Sequence, residues 1–228
     1  MDERLKSYDV ALACADSGLV VNDLLVIMCQ WERKVSNAGQ AQKKNMEKIL
    51  LSCLELLVLL TWPVELSDEL SDKQKLAFPN LKKIQVNYKK HILSYNDGQI
   101  LKAVLRLILP HLTKQRLDRE PRDNAIIRMA LFFVRNILFI GPATTTISSK
   151  LRKQVQTSDN LPANVSQDDI SINTTIKVFE KNNVLKFLLT IVGSLGTNFD
   201  KDVFAHCSLE CIYLIVKKID PNYLLMLS

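Results

Sequence analysis

A chain of 228 residues with 47% hydrophobic and 24% charged side chains has the balance of a folded domain with a sizeable core, or of a short superhelix of stacked helices. Only 6 glycines and 7 prolines, against abundant Leu, Ile and Lys, argue against a sandwich or barrel and for helix. The formal net charge of +6 is unevenly placed, because twelve Lys/Arg between Lys73 and Arg122 meet only three acidic residues.

The five cysteines (Cys14, Cys29, Cys53, Cys207, Cys211) are odd in number and lie inside apolar runs, so they read as reduced core residues of an intracellular protein. Met1-Asp2-Glu3-Arg4 leads straight into an amphipathic helix rather than a secretory signal. The most apolar run, Ile49 to Val64, is too short for a membrane span and carries Glu55, so no membrane partner is expected.

In chain order, residues 2–16 read as a helix broken by Ser17-Gly18. Asn22 is placed to cap a second helix running to about Asn37. A third spans about Asn45 to Thr61 and stops at Pro63, with 67–71 a polar connector. From Asn80 to Tyr95, Leu81, Ile84, Tyr88, Ile92 and Tyr95 form a core stripe. Lys82, Lys83, Lys89 and Lys90 fall on the other side as two pairs seven residues apart. Asp97-Gly98 turns into a helix at 99–112, with Lys102 and Arg106 one turn apart on an exposed face.

Then comes Arg122 to Pro142, apolar on almost every side from Ala125 to Ile140 except at Arg128, Arg135 and Asn136. Such a helix has to be covered by others all round. Arg128 and Arg135, seven apart, define its one face open to solvent or a ligand, unless they serve the core by capping carbonyls or pairing with acidic residues of a neighbouring helix. Residues 141–167 form a long polar loop with the basic cluster Lys150, Arg152 and Lys153. Ser166-Gln-Asp-Asp169 has the form of a capping box, and helices follow at about 168–181, 183–195 and 200–218. Helices with short links and no strand alternation predict an all-α chain, an armadillo/HEAT-like α-solenoid with one long polar loop, forming a single helical-repeat domain over 1–228.

Chemistry is sparse. None of the phosphate-cradling, dinucleotide, zinc-protease or nucleophile-elbow motifs occurs. His206, Cys207 and Cys211 share one helix but lack a fourth ligand, so core cysteines are the better reading than a metal site, and no cofactor is expected. Asp168-Asp169 reads as helix-terminus stabilisation rather than a catalytic pair. What remains is a basic surface for duplex phosphates or a partner: Lys82, Lys83, Lys89, Lys90, Lys102, Arg106, Lys150, Arg152 and Lys153, against the plainer reading of a solvated helix face.

Five segments carry a resemblance: LLVLLTWPVEL (56–66), NYKKHIL (87–93), RDNAIIRMALFFVRNILFI (122–140), LPANVSQDDISINTTIKVF (161–179) and FAHCSLECIYLIVKKIDPNYLL (204–225). Together they resemble the N-terminal region of the Timeless family, above all its fungal branch, the topoisomerase-I-associated factors. The resemblance implies a nuclear, non-enzymatic α-solenoid scaffold of the replication fork-protection complex. It implies partners in a Tipin-like small subunit, the replicative helicase, a Claspin-like checkpoint mediator, topoisomerase I and duplex DNA. It implies roles in fork stability and pausing, S-phase checkpoint signalling, the DNA damage response, cohesion and meiotic chromosome segregation. Family members are several times longer, so the chain reads as a fragment, with the Tipin-like and topoisomerase contacts expected in segments it lacks. A generic armadillo-type peptide-binding adaptor is the alternative, and asparagines regularly spaced along one inner row of helices would mark it.

Loop length is thermodynamically cheap to alter, so deleting most of 144–160 is expected to leave the thermal melt nearly unchanged. Collapse of the cooperative transition in that deletion variant would show the loop to be packed.

Overall fold

The computed structural model describes residues 8–34, 38–65, 67, 69–141, 161–196 and 198–217, with backbone alone at 32, 33, 198 and 199. Among them are nine α-helices and no strand, arranged as an α-solenoid. They are α1 (Asp9–Asp16), α2 (Leu25–Lys34), α3 (Gln40–Leu60), α4 (Asp72–Ser94), α5 (Gln99–Leu112), α6 (Pro121–Phe139), α7 (Ile172–Lys181), α8 (Val184–Ser194) and α9 (Asn198–Val216). Among the described residues no single helix is long and apolar enough to cross a membrane.

The expected burial of the central helix among others is met on most of its surface but not all round: α6 packs against α9, α5 and α3, while Ala125 and Arg128 are exposed and Met129, Phe132, Arg135 and Phe139 only partly covered. Ile126, Ile127, Ala130, Leu131, Phe133, Val134, Ile137 and Leu138 are all buried along it. Pro121 occupies its first turn, where a missing N–H costs nothing. The two arginines divide. Arg128 is exposed, whereas Arg135 lies 4.4 Å from the Trp62 ring centre and 5.0 Å from that of Phe132, and reaches Glu210 of α9 at 3.3 Å. Asn136 is wholly buried, and its amide donates to Val58 O and Thr61 Oγ1 at the end of α3.

Several boundaries differ from the sequence reading, each for a local reason. Gly18 sits at φ +71, and a π-helical turn (Leu19–Leu24) bridges into α2, so Asn22 lies inside that turn instead of capping a helix. A Cβ on Gly18 would meet the Asn22 side chain at 2.3 Å, which adds to the backbone reason for glycine there. Helix α4 begins at Asp72 rather than near 80, because Ser71 and Gln74 form a reciprocal capping box (Ser71 N to Gln74 Oε1, 2.9 Å) strong enough for the helix to run through Pro79. Helix α3 starts at Gln40, five residues earlier than read.

The α4–α5 turn places Asn96, Asp97 and Gly98 in succession at positive φ. That tight reversal docks on α7: Asn182 Nδ2 donates to Asp97 O at 2.9 Å, and a Cβ on Gly98 would lie 2.6 Å from Val178 Cγ1. Ser166 and Asp169 do form a reciprocal box, at 2.9 and 3.2 Å, but it lies across the start of a short 3₁₀ turn (Asp168–Ile170) and not at the start of α7. Ser171 is the residue that caps α7, its Oγ accepting from Thr174 N.

Burial separates the two phenylalanines of α6. Phe133 is fully buried, so Phe133→Ala is expected to cost about 3–5 kcal/mol. Phe132 lies partly exposed beneath Arg135 and Trp62, and its loss should cost clearly less. Chemical denaturation of both variants checks the order, and equal costs would contradict the placement of α6.

Candidate nucleic-acid and partner interface

The four lysines of α4 do not form one exposed face. Lys89 is 2% exposed, and its Nζ donates to Ile140 O at 2.7 Å. Ile140 is the C-cap of α6, so this ammonium meets the negative end of the central helix, where a cation is favoured and a carbonyl lacks an intrahelical donor. The expectation that Lys89 lies on a DNA-facing surface is therefore corrected. Its charge is spent inside the protein.

Lys90 is also engaged. Its Nζ donates to Asn164 O and lies 3.4 Å from Asp169 Oδ2, tying the chain that returns at 161–170 to α4. Asp169 is held below the usual carboxylate range, first by the Ser166 backbone N–H and hydroxyl, then by Lys90. Behind these contacts Val86, Ile140, Val165 and Ile170 make a small core separate from the main one, with Leu161 packed against it. Lys82 is partly buried, with its Nζ 5.2 Å from the Phe139 ring centre and 5.6 Å from that of Phe78. Burial pulls its pKa below the ordinary lysine value, and Glu65 opposes that pull. Lys83 is half-buried, while Lys102 and Arg106 of α5 are exposed as expected. Lys150, Arg152 and Lys153 lie outside the described residues.

Two polar clusters escaped the sequence reading. Asp123, buried in the first turn of α6, receives Lys114 Nζ at 2.8 and 2.9 Å, the Glu120 N–H at 2.9 Å and His111 Nδ1 at 2.5 Å. Those partners hold its carboxyl well below the usual range, Lys114 most strongly and His111 next, against the opposing effect of burial. His111 Nε2 faces Glu47 of α3 at 3.7 Å. In the second cluster, Asp200 of α9, also buried, takes Arg116 Nε and Nη2 at 3.0 and 2.7 Å, while Arg116 Nη2 also reaches Ser194 O at 3.1 Å. Both clusters clamp the α5–α6 link. A signal was available in the charged run Lys114 to Asp123, where a capping carboxylate follows a histidine by twelve residues.

Cys207 and Cys211 are buried one turn apart on α9, where Cys211 Sγ donates to Leu131 O at 3.9 Å; the nearness of the two thiols lowers that of Cys207 and raises that of Cys211, with burial adding to the rise. His206 points outward at 91% side-chain exposure, 3.8 Å from Glu210, so the three potential soft ligands do not converge. No group of three His, Cys, Asp or Glu arranged for a metal occurs among the described residues.

The folded pKa of Asp123 lies below the value of about 3.9 expected for an unfolded chain, so the unfolded state takes up the proton first. The stabilisation is present above the unfolded value and is lost as pH falls through the folded one. The Tm gap between wild type and Asp123→Asn should stay open from pH 7 to pH 5 and narrow below about pH 4, as scanning calorimetry across that range would show. A gap independent of pH would contradict the cluster.

The Timeless protein family model matches residues 1–228, the whole chain. Topoisomerase 1-associated factor 1 of Scheffersomyces stipitis is 54% identical over 229 residues, covering 100% of this chain and 18% of the relative. The protein of that name in Candida albicans is also 54% identical, over 99% of this chain and 18% of its own length, and that of Saccharomyces cerevisiae is 40% identical over 98% and 19%. The chain thus spans about a fifth of the length of these relatives. The expected fungal branch is the one found, and the chain belongs to the Timeless family.

Proposed function

We propose that this chain is a helical-repeat unit of a longer, non-enzymatic nuclear scaffold acting at the replication fork. The observation that carries the reading is the Timeless family match along all 228 residues. The name shared by the fungal relatives, topoisomerase 1-associated factor 1, supports an association with topoisomerase I through the whole protein. The same reading gives the scaffold a Tipin-like small subunit, the replicative helicase and a Claspin-like mediator as partners. Its roles are then fork stability and pausing, checkpoint signalling, the damage response, cohesion and meiotic chromosome segregation.

Duplex DNA is the ligand whose chemistry this chain itself suits. With Lys89 and Lys90 occupied internally, contact with phosphates falls to Lys83 and Lys102, and to the loop cluster Lys150, Arg152 and Lys153. Lysines on helices and in a polar loop give affinity without reading sequence, as a scaffold that travels along DNA requires. The alternative of an asparagine-clamped peptide groove draws no support from the inner helix, because Asn124 and Asn136 of α6 are buried and Asn136 bonds within the chain.

Fluorescence anisotropy of a labelled 20-base-pair duplex at low and moderate salt tests the DNA contact. Wild type should bind in a salt-sensitive manner. Changing Lys83 and Lys102, or Lys150, Arg152 and Lys153, to Glu should weaken binding equally on unrelated sequences and lower the salt slope by about 1 for each phosphate contact removed. Failure to bind even at low salt would remove DNA from the ligands of this chain.

A further inference from the structure

Lys83, Asn87 and Lys90 follow one another at steps of four and three residues, so they share one face of α4. The returning segment 161–170 lies over that face at Asn87 and Lys90. Asn164 Nδ2 donates to Asn87 Oδ1 at 3.4 Å, Asn164 O accepts from Lys90 Nζ, and Asp169 Oδ2 stands 3.4 Å from the same ammonium. None of these contacts involves Lys83, two turns earlier.

Holding the segment down falls mainly to other contacts. Val165 and Ile170 are buried with Val86 and Ile140 in the small core, and Ser166 and Asp169 close their own box. An ion pair whose two side chains are 25% and 41% exposed adds little to stability. Lys90 thus differs from Lys89, which is sealed inside the protein on the Ile140 carbonyl. Its ammonium sits at the surface on one carboxylate oxygen and one carbonyl oxygen, and a phosphodiester offers oxygens of the same kind. The spacing along the helix also suits a nucleic-acid strand. Lys83 and Lys90 are seven residues apart, about 10.5 Å along α4, which is close to three phosphate steps of about 3.4 Å each.

We propose, resting on the reading of duplex DNA as a ligand of this chain, that the segment 161–170 is an exchangeable cover for the cation face of α4. Asp169 and the Asn164 carbonyl hold Lys90 until a DNA phosphate replaces them, and Lys90 then joins Lys83 on one strand. The segment stays docked through Val165 and Ile170 while the lysine head moves, and the flexible four-carbon stem of lysine supplies that reach. The carboxylate weakens the grip by about the strength of one surface ion pair, which keeps the contact with the duplex loose enough to be remade along it.

Anisotropy of a labelled 20-base-pair duplex, titrated with the chain over a range of salt, reads the exchange. Asp169→Asn removes the charge while leaving an oxygen for the Ser166 N–H; it should bind about threefold tighter at low salt, with a log–log salt slope steeper by about 1. Lys90→Gln should stay within about twofold of wild type, because Asp169 already holds that lysine, and combining it with Asp169→Asn should abolish the gain. Asp168→Asn makes the same change of net charge at the neighbouring exposed carboxylate and should leave the slope as it is. Asp169→Ser repeats the measurement if thermal melts show Asp169→Asn to be poorly folded. No gain in either Asp169 variant, a gain that survives Lys90→Gln, an equal gain from Asp168→Asn, or weakening of more than about twofold by Lys90→Gln alone would overturn the proposal. Wild-type binding without a gain in the Asp169 variants removes the cover alone, whereas no binding by any of these proteins at low salt removes the DNA reading and the cover with it.

Discussion

The structure depends on one helix that cannot be left uncovered. Helix α6 is apolar around nearly its whole circumference, so α3, α5 and α9 must lie against it, and the remaining elements are arranged around those three. What makes the packing specific is the handling of the polar groups on α6. At its start Asp123 collects Lys114, His111 and the Glu120 N–H. Midway, Asn136 donates to the carbonyl of Val58 and the hydroxyl of Thr61, satisfying α3 where Pro63 prevents it from continuing. At its end the Ile140 carbonyl takes the Lys89 ammonium. Asp123, Asn136 and the Ile140 carbonyl would each cost stability if unmet, so each fixes the position of a neighbouring element.

Much of this was legible in the residues. The covered central helix followed from the run Ala125 to Ile140, and the turn at Asp97-Gly98 from its residue types, confirmed by three consecutive positive φ angles. Helix starts were less legible, because capping boxes compete with breakers. Ser71 with Gln74 outweighs Pro79, whose missing N–H removes one hydrogen bond from a helix of 23 residues that is capped upstream. The Timeless resemblance was carried by segments that turn out to be structural: Trp62 under Arg135, Asn136 in the core and Asn164 on Lys90.

The basic surface was the least legible part, and the reason lies in α4. Sequence periodicity identified one core stripe through Leu81, Tyr88 and Ile92, which leaves every lysine apparently outside. The helix is covered on a second side, however, by the end of α6 and by 161–170, and that side includes Gln85, Val86 and Lys89. Gln85 Nε2 donates to Trp62 O at 2.7 Å, so even the polar residues there have internal partners. Val86, an apolar residue between two lysine pairs, was the available signal. A helix with a second apolar position between its cations has a second neighbour to bury it against.

Two adjacent lysines with different fates have a consequence for the long interval between Gly141 and Leu161. Lys89 holds the carbonyl where the chain leaves α6, and Lys90 holds Asn164 and Asp169 where the chain comes back. Exit and return are fixed side by side on one helix, and Val86 buries Ile140 together with Val165 and Ile170 between them. The separation of the loop's ends is thereby set by α4 and not by the residues in between. With both ends held in this way, closure entropy grows only logarithmically with the length of chain between them, by roughly 0.6 kcal/mol per doubling. The lysines of NYKKHIL, which the sequence offers most readily as a ligand surface, instead secure the points where the chain leaves α6 and where it returns at 161–170.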